Sequence, residues 1–255
     1  MEMYDPLLGL SADILSDLES VRIMNENRLR QLTRSTEDSD GNVRGFGLTE
    51  EHPDVARLAA MVDTLNALEH EATLNLQRTM RRNLLGPWVK AQRGIGEKQA
   101  ARLLAAIRDP YWNDLHDRPR TVSELWAFCG YHTLPVSQST SGTQSGCAGG
   151  AYNIAARRTK GQKSNWSSEA KMRAYLISES VVKAGGPWRD VYDARKAATE
   201  SRLHGAPCVR CGPSGKPAQP GSEWSKGHRH ADALRILSKE ILKGLWTEAR
   251  RLHGA

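Results

Sequence analysis

Apolar residues recur every three or four positions along most of this chain, and no long stretch alternates, so the pattern predicts helices and at most a small sheet. In residues 10–34, Ile14, Leu18, Val21 and Leu32 fall near one face, with polar Asn25 in the same seam. Ser11 is a candidate N-cap, with Asp13 in the first turn. Residues 35–53 are polar and contain glycine, and read as a loop. A second helical pattern follows Pro53, where Leu58, Val62, Leu65, Leu68, Ala72 and Leu76 share a face. The two patterns fit an antiparallel hairpin within the chain, or a coiled coil between two chains through residues 10–80.

Gly86-Pro87 ends the second pattern and marks a boundary. Further helices are predicted over 97–108, 121–129, 168–184, 188–202 and 228–252, interrupted by Gly-rich stretches at 137–165 and 205–227. In the last of these helices His230, Leu234, Leu237, Ile241, Leu242, Leu245 and Trp246 face one way and a basic set faces the other. The expected fold is therefore mainly α. A helical hairpin or coiled coil spans 1–86, and a helical domain with Gly-rich loops spans 87–255.

Charge adds a functional asymmetry to this division. The 255 residues carry a net charge of +7. Residues 1–86 hold 9 basic and 15 acidic side chains, while 87–255 hold 27 and 14, so the front is at −6 and the rear at +13. A basic rear joined to an acidic front is expected where only the rear meets a polyanion such as DNA. No apolar run reaches the ~20 residues of a membrane span. The acidic start, Met1-Glu2-Met3-Tyr4-Asp5, does not read as a signal peptide. Four cysteines do not make a disulfide framework. By elimination the expected location is cytoplasmic, with no membrane partner.

The basic rear opens on a segment with a readable logic. In Arg93-Gly94-Ile95-Gly96-Glu97-Lys98 two glycines bracket an apolar residue, and a helix starts at once. Ala100, Leu103, Leu104 and Ile107 supply that helix's inner face. This is the pattern of a helix-hairpin-helix. Glycines let backbone approach a phosphate, and the helix N-terminus offers free N–H donors to it. Ile95 is expected to plug the hairpin, with Arg93, Lys98 and Arg102 adding charge contacts. Such a contact reads phosphate and shape, not base sequence.

From Leu125 to Ser168 the chain has no acidic residue. Arg157, Arg158, Lys160 and Lys163 lie there, interleaved with Trp126, Tyr131, Tyr152 and Trp166. Basic groups neutralise phosphates and aromatic rings stack on bases, although a basic loop over a core gives the same pattern. The segment is also rich in Ser-Gly pairs, including Ser141-Gly142 and Ser145-Gly146. An activated serine is a nucleophile, but Ser-Gly also simply makes loops, and no Gly-x-Ser-x-Gly elbow is present.

Cys208-Val209-Arg210-Cys211-Gly212 is a Cys-x2-Cys knuckle, followed by His228 and His230. Two thiolates and two imidazoles complete a tetrahedral Zn²⁺ site, so Cys208, Cys211, His228 and His230 are the candidate ligands. The two histidines are too close for the usual finger spacing and do not share a helix face. A reduced-thiol loop or a histidine–phosphate contact are the alternatives. Cys129 lies on an apolar helix face and reads as core.

The order of these parts resembles the C-terminal domain of insertion-sequence transposases of the bridge-RNA-guided recombinase type, over roughly residues 85–250. The resemblance rests on the Gly94-Ile95-Gly96 hairpin with its helix to Asp109-Pro110. It continues through Ser123-Glu124-Leu125-Trp126-Ala127-Phe128-Cys129-Gly130-Tyr131 with Pro135, a Ser-Gly loop, Arg157-Arg158-Thr159-Lys160-Gly161, and a helix through Lys171-Met172-Arg173. The resemblance implies a serine in the Ser-Gly loop that attacks DNA, at Ser141 or Ser145, with Ser141 favoured. It also implies RNA as a second partner, since that family handles a guide RNA. The family's enzymes carry an N-terminal nuclease-like domain with four metal-binding carboxylates. Residues 1–86 resemble only the family's coiled-coil connector, and no Mg²⁺ site can be argued in them. The Cys-x2-Cys insert also departs from the family's pattern. The expectation is a DNA-binding protein related to mobile-element recombinases, with serine-dependent strand transfer or an RNA-binding role as alternatives.

Overall fold

Asp5 caps the first helix by accepting a hydrogen bond from the Leu7 amide at 2.9 Å, and Pro6 at its first position fixes φ where no N–H is needed. The helix thus starts ahead of Ser11, the cap expected from sequence. The computed structural model describes residues 5–135, 153–156, 158, 161–205, 207–213 and 216–254. They divide into two compact units, one spanning Asp5–Arg82 and the other running from Asn83 onward.

The first unit is an antiparallel pair of helices, α1 (Pro6–Thr33) and α2 (Pro53–Arg82). Leu8, Ala12 and Leu15 of α1 and Val55, Val62, Leu76 and Met80 of α2 are buried. The middle of the seam is polar. Arg22 reaches Glu69 at 2.5 Å and Glu26 at 2.7 Å with little exposure. A charged pair inside an apolar seam discriminates against shifted registers, because any slip strands both charges on apolar surface. The structure corrects one expectation here. Ile14 is 47% exposed and Val21 39%, while Leu18 and Leu32 are half-buried, so the stripe expected to be the inner face of α1 lies at the edge of the seam and Leu8, Ala12 and Leu15 fill its centre. Ile14 and Leu18 line an open groove with Leu68 and Ala72 of α2.

The second unit is organised on α8 (Lys226–Leu252), whose Leu234, Leu237, Ile241, Leu242 and Leu245 are buried as the apolar pattern requires. Three helices pack on it: α5 (Val122–Phe128), α6 (Ser168–Ala184) and α7 (Pro187–Ala197). Ser178 of α6 and Ser238 of α8 share a buried 2.7 Å hydrogen bond, which satisfies both hydroxyls inside the core. Trp126 donates to the Lys239 carbonyl and Trp246 to the Arg120 carbonyl, so both half-buried indoles have partners for their N–H groups. α3 (Gly86–Ala91) and α4 (Glu97–Ile107) form a short pair, with α4 packed on α6. Asp109, just past α4, accepts from the amides of Tyr111 and Trp112 and meets His253 at 2.7 Å, tying the end of α4 to the end of α8.

Gly86-Pro87-Trp88 and Gly186-Pro187-Trp188 are two helix starts of the same sequence. Both indoles converge on Gly244 of α8, where a side-chain carbon would stand 3.2 Å from Trp88 and 3.5 Å from Trp188. Strand structure among the described residues is limited to two small antiparallel pairs. β1 (Trp112–Asn113) pairs with β2 (Arg118–Pro119), and β3 (Thr133–Pro135) pairs with β4 (Asn153–Ala155). No described helix is long and apolar enough to cross a membrane.

Candidate functional site

The hairpin between α3 and α4 is present. Gln92 closes α3, its amide bonding the Val89 carbonyl, and the Ile95 amide returns to the Gln92 carbonyl at 3.2 Å. Ile95 is 7% exposed and shares a small apolar cavity with Trp88, Leu103, Leu104, Ile177 and Ile241. Gly96 is the N-cap of α4, and the Ala100 amide bonds its carbonyl.

The two glycines do different work. Gly94 has φ +86°, and a side-chain carbon there would stand 2.8 Å from both Ala184 Cβ and Val181 Cα. It is required by the left-handed backbone and by the approach of α6. Gly96 has an ordinary φ of −77°, is exposed, and has nothing within 4 Å of where a side chain would begin. It therefore leaves the N-terminus of α4 open to solvent, where an anion meets the backbone amides of the first turn and the positive end of the helix dipole. Lys90 and Arg93 are exposed beside it and Lys98 is half-buried. Arg102, expected at the same face, is only 4% exposed and belongs to the packed side of α4. The helical period explains this, since Arg102 stands one position before Leu103 on an eleven-residue helix buried from Ala100 to Leu104.

The acid-free segment begins in α5 and continues through the β3–β4 pair. Thr133 pairs with Ala155, Leu134 with Ile154 and Pro135 with Asn153, so the ends of the intervening segment are held side by side. Ser141, Ser145, Arg157 and Lys160 lie outside the described residues. Arg158 and Lys163 are exposed. At the base of the pair is an aromatic–cation cluster. Lys171 Nζ lies 4.9 Å from the centre of the Trp166 ring and 5.9 Å from that of Tyr131, and donates to the Ala156 carbonyl at 3.4 Å. The Tyr131 hydroxyl donates to the Lys171 carbonyl at 2.9 Å. Cys129, at the end of α5, is fully buried. Burial pushes its thiol up to about 12, with Arg120 opposing, so it is inert core.

The connection from α7 to α8 builds a third site. His204 and Ser222 are joined backbone to backbone, as are Cys208 and Ala218 by two bonds of 2.9 and 2.8 Å. The chain turns tightly at the knuckle, where the Cys211 and Gly212 amides both point at the Cys208 carbonyl. Gly212 must be glycine, since a side-chain carbon would lie 1.8 Å from the Lys216 carbonyl oxygen. Ser225 caps α8 by accepting from the His228 amide at 3.2 Å, which orients the first turn toward the knuckle.

This path brings together His204, Cys208, Cys211 and His228, with all four ligand atoms within 4.8 Å of one another. His228 Nδ1 is 3.2 Å from Cys211 Sγ and 3.6 Å from Cys208 Sγ. Bond lengths of about 2.0–2.3 Å to a tetrahedral zinc put ligand atoms roughly 3.3–3.8 Å apart, so the set closes on an ion with sub-ångström shifts. His204 is buried, and its Nε2 has no hydrogen-bond partner. An orphaned buried imidazole nitrogen costs free energy that a metal bond recovers. His228 is pushed down to about 4, first by burial, then by the charge of Arg210 and by His204, with Asp232 opposing. It is neutral, the ligating form. The Trp224 ring stacks on His228 at 3.9 Å, and Arg202 lies 4.7 Å from the centre of the Trp224 ring. The group can hold a metal such as zinc.

The fourth member differs from the sequence-based choice. His230 is turned to α7, where Nδ1 shares a 2.7 Å hydrogen bond with the Tyr192 hydroxyl. His204 takes the place expected of it. The signal was present, since His204 precedes Cys208 by four residues, within common ligand spacing.

Neither models of protein families nor curated proteins give a match to this chain.

Proposed function

We propose that this chain is a DNA-binding protein, related to the mobile-element recombinases its sequence resembles, and that its rear unit grips the phosphate backbone. The observation that carries this reading is the open N-terminus of α4 at Gly96 with exposed Lys90 and Arg93 beside it. Backbone amides and flanking cations are the two components of sequence-independent phosphate contact. The acid-free strip with exposed Arg158 and Lys163 supports the same reading. The test is anisotropy on a labelled duplex with Gly96→Leu. The side chain enters open space and leaves the fold intact, but covers the α4 amides. Affinity should fall about tenfold or more, and an unchanged Kd would remove the hairpin from the interface.

Zn²⁺ is the metal this proposal assigns to the His204, Cys208, Cys211 and His228 group, in a structural role. Two sulfurs and two nitrogens leave no open coordination position, as structural rather than catalytic zinc requires. Protein purified without chelator should carry about one zinc per chain. His204→Ala should lower that content, and His230→Ala should not. The reverse pattern would overturn this ligand set.

The front unit supports pairing of two copies through residues 10–80. Ile14, Val21, Met61 and Leu68 are exposed on a hairpin that already buries its own seam. Sedimentation of the wild type and of an Ile14→Glu, Leu68→Glu double variant tests this, with a dimer expected only for the wild type.

A further inference from the structure

The connection between α7 and α8 is folded without an apolar core of its own. Among its described residues from 201 to 231 the single buried side chain is His204, which is itself a member of the ligand group. Leu203 and Val209 are 54% and 70% exposed, so neither supplies apolar burial. Strand pairing is limited to two isolated bridges, Leu203 with Glu223 and Cys208 with Ala218. A few backbone bonds without apolar burial do not offset the entropy of ordering such a segment. What closes it on itself is the ligand group, with the rings of His204, Trp224 and His228 stacked together. The order of the connection therefore depends on the metal, as in small metal-folded domains.

The thiols of that group are open to an oxidant. Cys208 and Cys211 are half-buried, and their sulfurs lie within 4.8 Å of each other across one tight turn. A disulfide needs only that the two sulfurs close further within the same turn. Cys129 is fully buried, so among the described cysteines only the knuckle pair meets solutes. The pair is also tied to the start of α8. The amide of Ser225, the N-cap of α8, donates to Cys211 Sγ at 3.4 Å, and the Ser225 hydroxyl lies 3.2 Å from the same sulfur. From Asp232 onward α8 is buried and is held by α5, α6 and α7 instead. Loss of the metal is thus felt in the connection and the first turn of α8, and not in the helical core.

We propose that the knuckle is a peroxide-sensitive switch, in which oxidation of Cys208 and Cys211 to a disulfide releases the metal and unfolds the connection while the helical core of the rear unit stays folded. The inference rests on the zinc assignment above. One thiolate attacks a peroxide oxygen, so that an S–O bond forms, the O–O bond breaks and hydroxide leaves. The second thiolate displaces hydroxide from the resulting sulfenic acid and forms the S–S bond. The two sulfurs give up two electrons to hydrogen peroxide, and two protons from solvent convert the two hydroxides to water. His204 and His228 alone are too few ligands to hold zinc, which leaves to solvent. A dithiol reverses the chemistry by exchange.

The experiment titrates full-length, zinc-loaded protein with hydrogen peroxide. It follows released zinc with a metallochromic indicator, the cysteines by peptide mass spectrometry and the connection by brief trypsin digestion. Zinc release should track formation of the Cys208–Cys211 disulfide. Cleavage after Arg202 and Arg210, both exposed, should quicken about tenfold or more, with little change in helical circular dichroism. Dithiothreitol with added zinc should restore the starting state. Cys147→Ser, which removes the remaining cysteine, should respond like the wild type. Zinc retained in excess peroxide, or lost without that disulfide, or retained in Cys147→Ser alone, overturns the switch and leaves the zinc assignment standing. Zinc lost with cleavage unchanged overturns the metal's role in ordering the connection. Loss of most helical signal together with the zinc overturns the confinement of the change. Freshly reduced protein that carries no zinc overturns the zinc assignment and this inference together.

Discussion

Replacing each glycine of the hairpin by alanine separates what holds the fold from what meets a ligand. At Gly94 the methyl group meets two penalties. The backbone sits at φ +86°, where a Cβ costs roughly 1–2 kcal/mol. The methyl also lands 2.8 Å from Ala184 Cβ and Val181 Cα, in contact with the helix backbone of α6, and overpacking of this kind costs about 1–3 kcal/mol. Gly94→Ala should therefore destabilise the rear unit by about 2–5 kcal/mol, a large share of a typical domain's stability. At Gly96 neither penalty applies, and the change is limited to a weaker N-cap, about 0.5–1 kcal/mol. The assay is urea unfolding of both variants followed by circular dichroism, compared at equal m-value so that a midpoint shift reads as stability. Equal midpoints for the two variants, or a larger loss at Gly96, would refute the division of roles between the glycines.

Three further predictions follow from the same structure. Ile95→Ala empties the plug of the hairpin and should cost about 2–4 kcal/mol by the same assay; a loss below about 1 kcal/mol would mean that Ile95 is not core. Gly244→Leu drives a side chain between Trp88 and Trp188 and should lower the thermal midpoint, with the indole fluorescence shifting as the rings are displaced; an unchanged spectrum would contradict the packing. Glu124 accepts from Arg118 at 2.6 Å and from the Thr121 amide at 2.7 Å, and these bonds hold it down to about 2. A carboxylate depressed on folding stabilises fully above its ordinary range near 4.5, and that contribution is lost as pH falls from there through about 2. Glu124→Gln should flatten the stability–pH curve in that window and leave its slope above pH 5 unchanged.

Much of the helical framework was legible because long amphipathic periods leave little choice of structure. The stripe of α8 from Leu234 to Leu245 was read directly, and so was the Ile95 plug. Other features were not, for identifiable reasons. α1 carries two apolar stripes, and periodicity does not say whether Leu8 and Leu15 or Ile14 and Val21 meet α2; the Arg22–Glu69 pair decides it, and such pairs are visible only in register. Arg102 looked solvent-facing because its charge suggested it, whereas α4 is buried on more of its circumference than a surface helix. The Cys-x2-Cys knuckle was plain in Cys208 and Cys211. Its fourth member was misassigned, because His230 is nearer in sequence to His228 while His204 is nearer in space through the Cys208–Ala218 and His204–Ser222 backbone pairs.

The proposed grip of the rear unit on the phosphates of duplex DNA should show itself in the salt dependence of binding. Anisotropy of a labelled duplex of about 20 base pairs, titrated from 50 to 200 mM salt, should give a log–log slope of about −2.7 or steeper, since Lys90, Arg93 and at least one of Arg158 and Lys163 are each expected to neutralise a phosphate. No binding at 50 mM salt, or binding whose affinity does not change across that range, would contradict it.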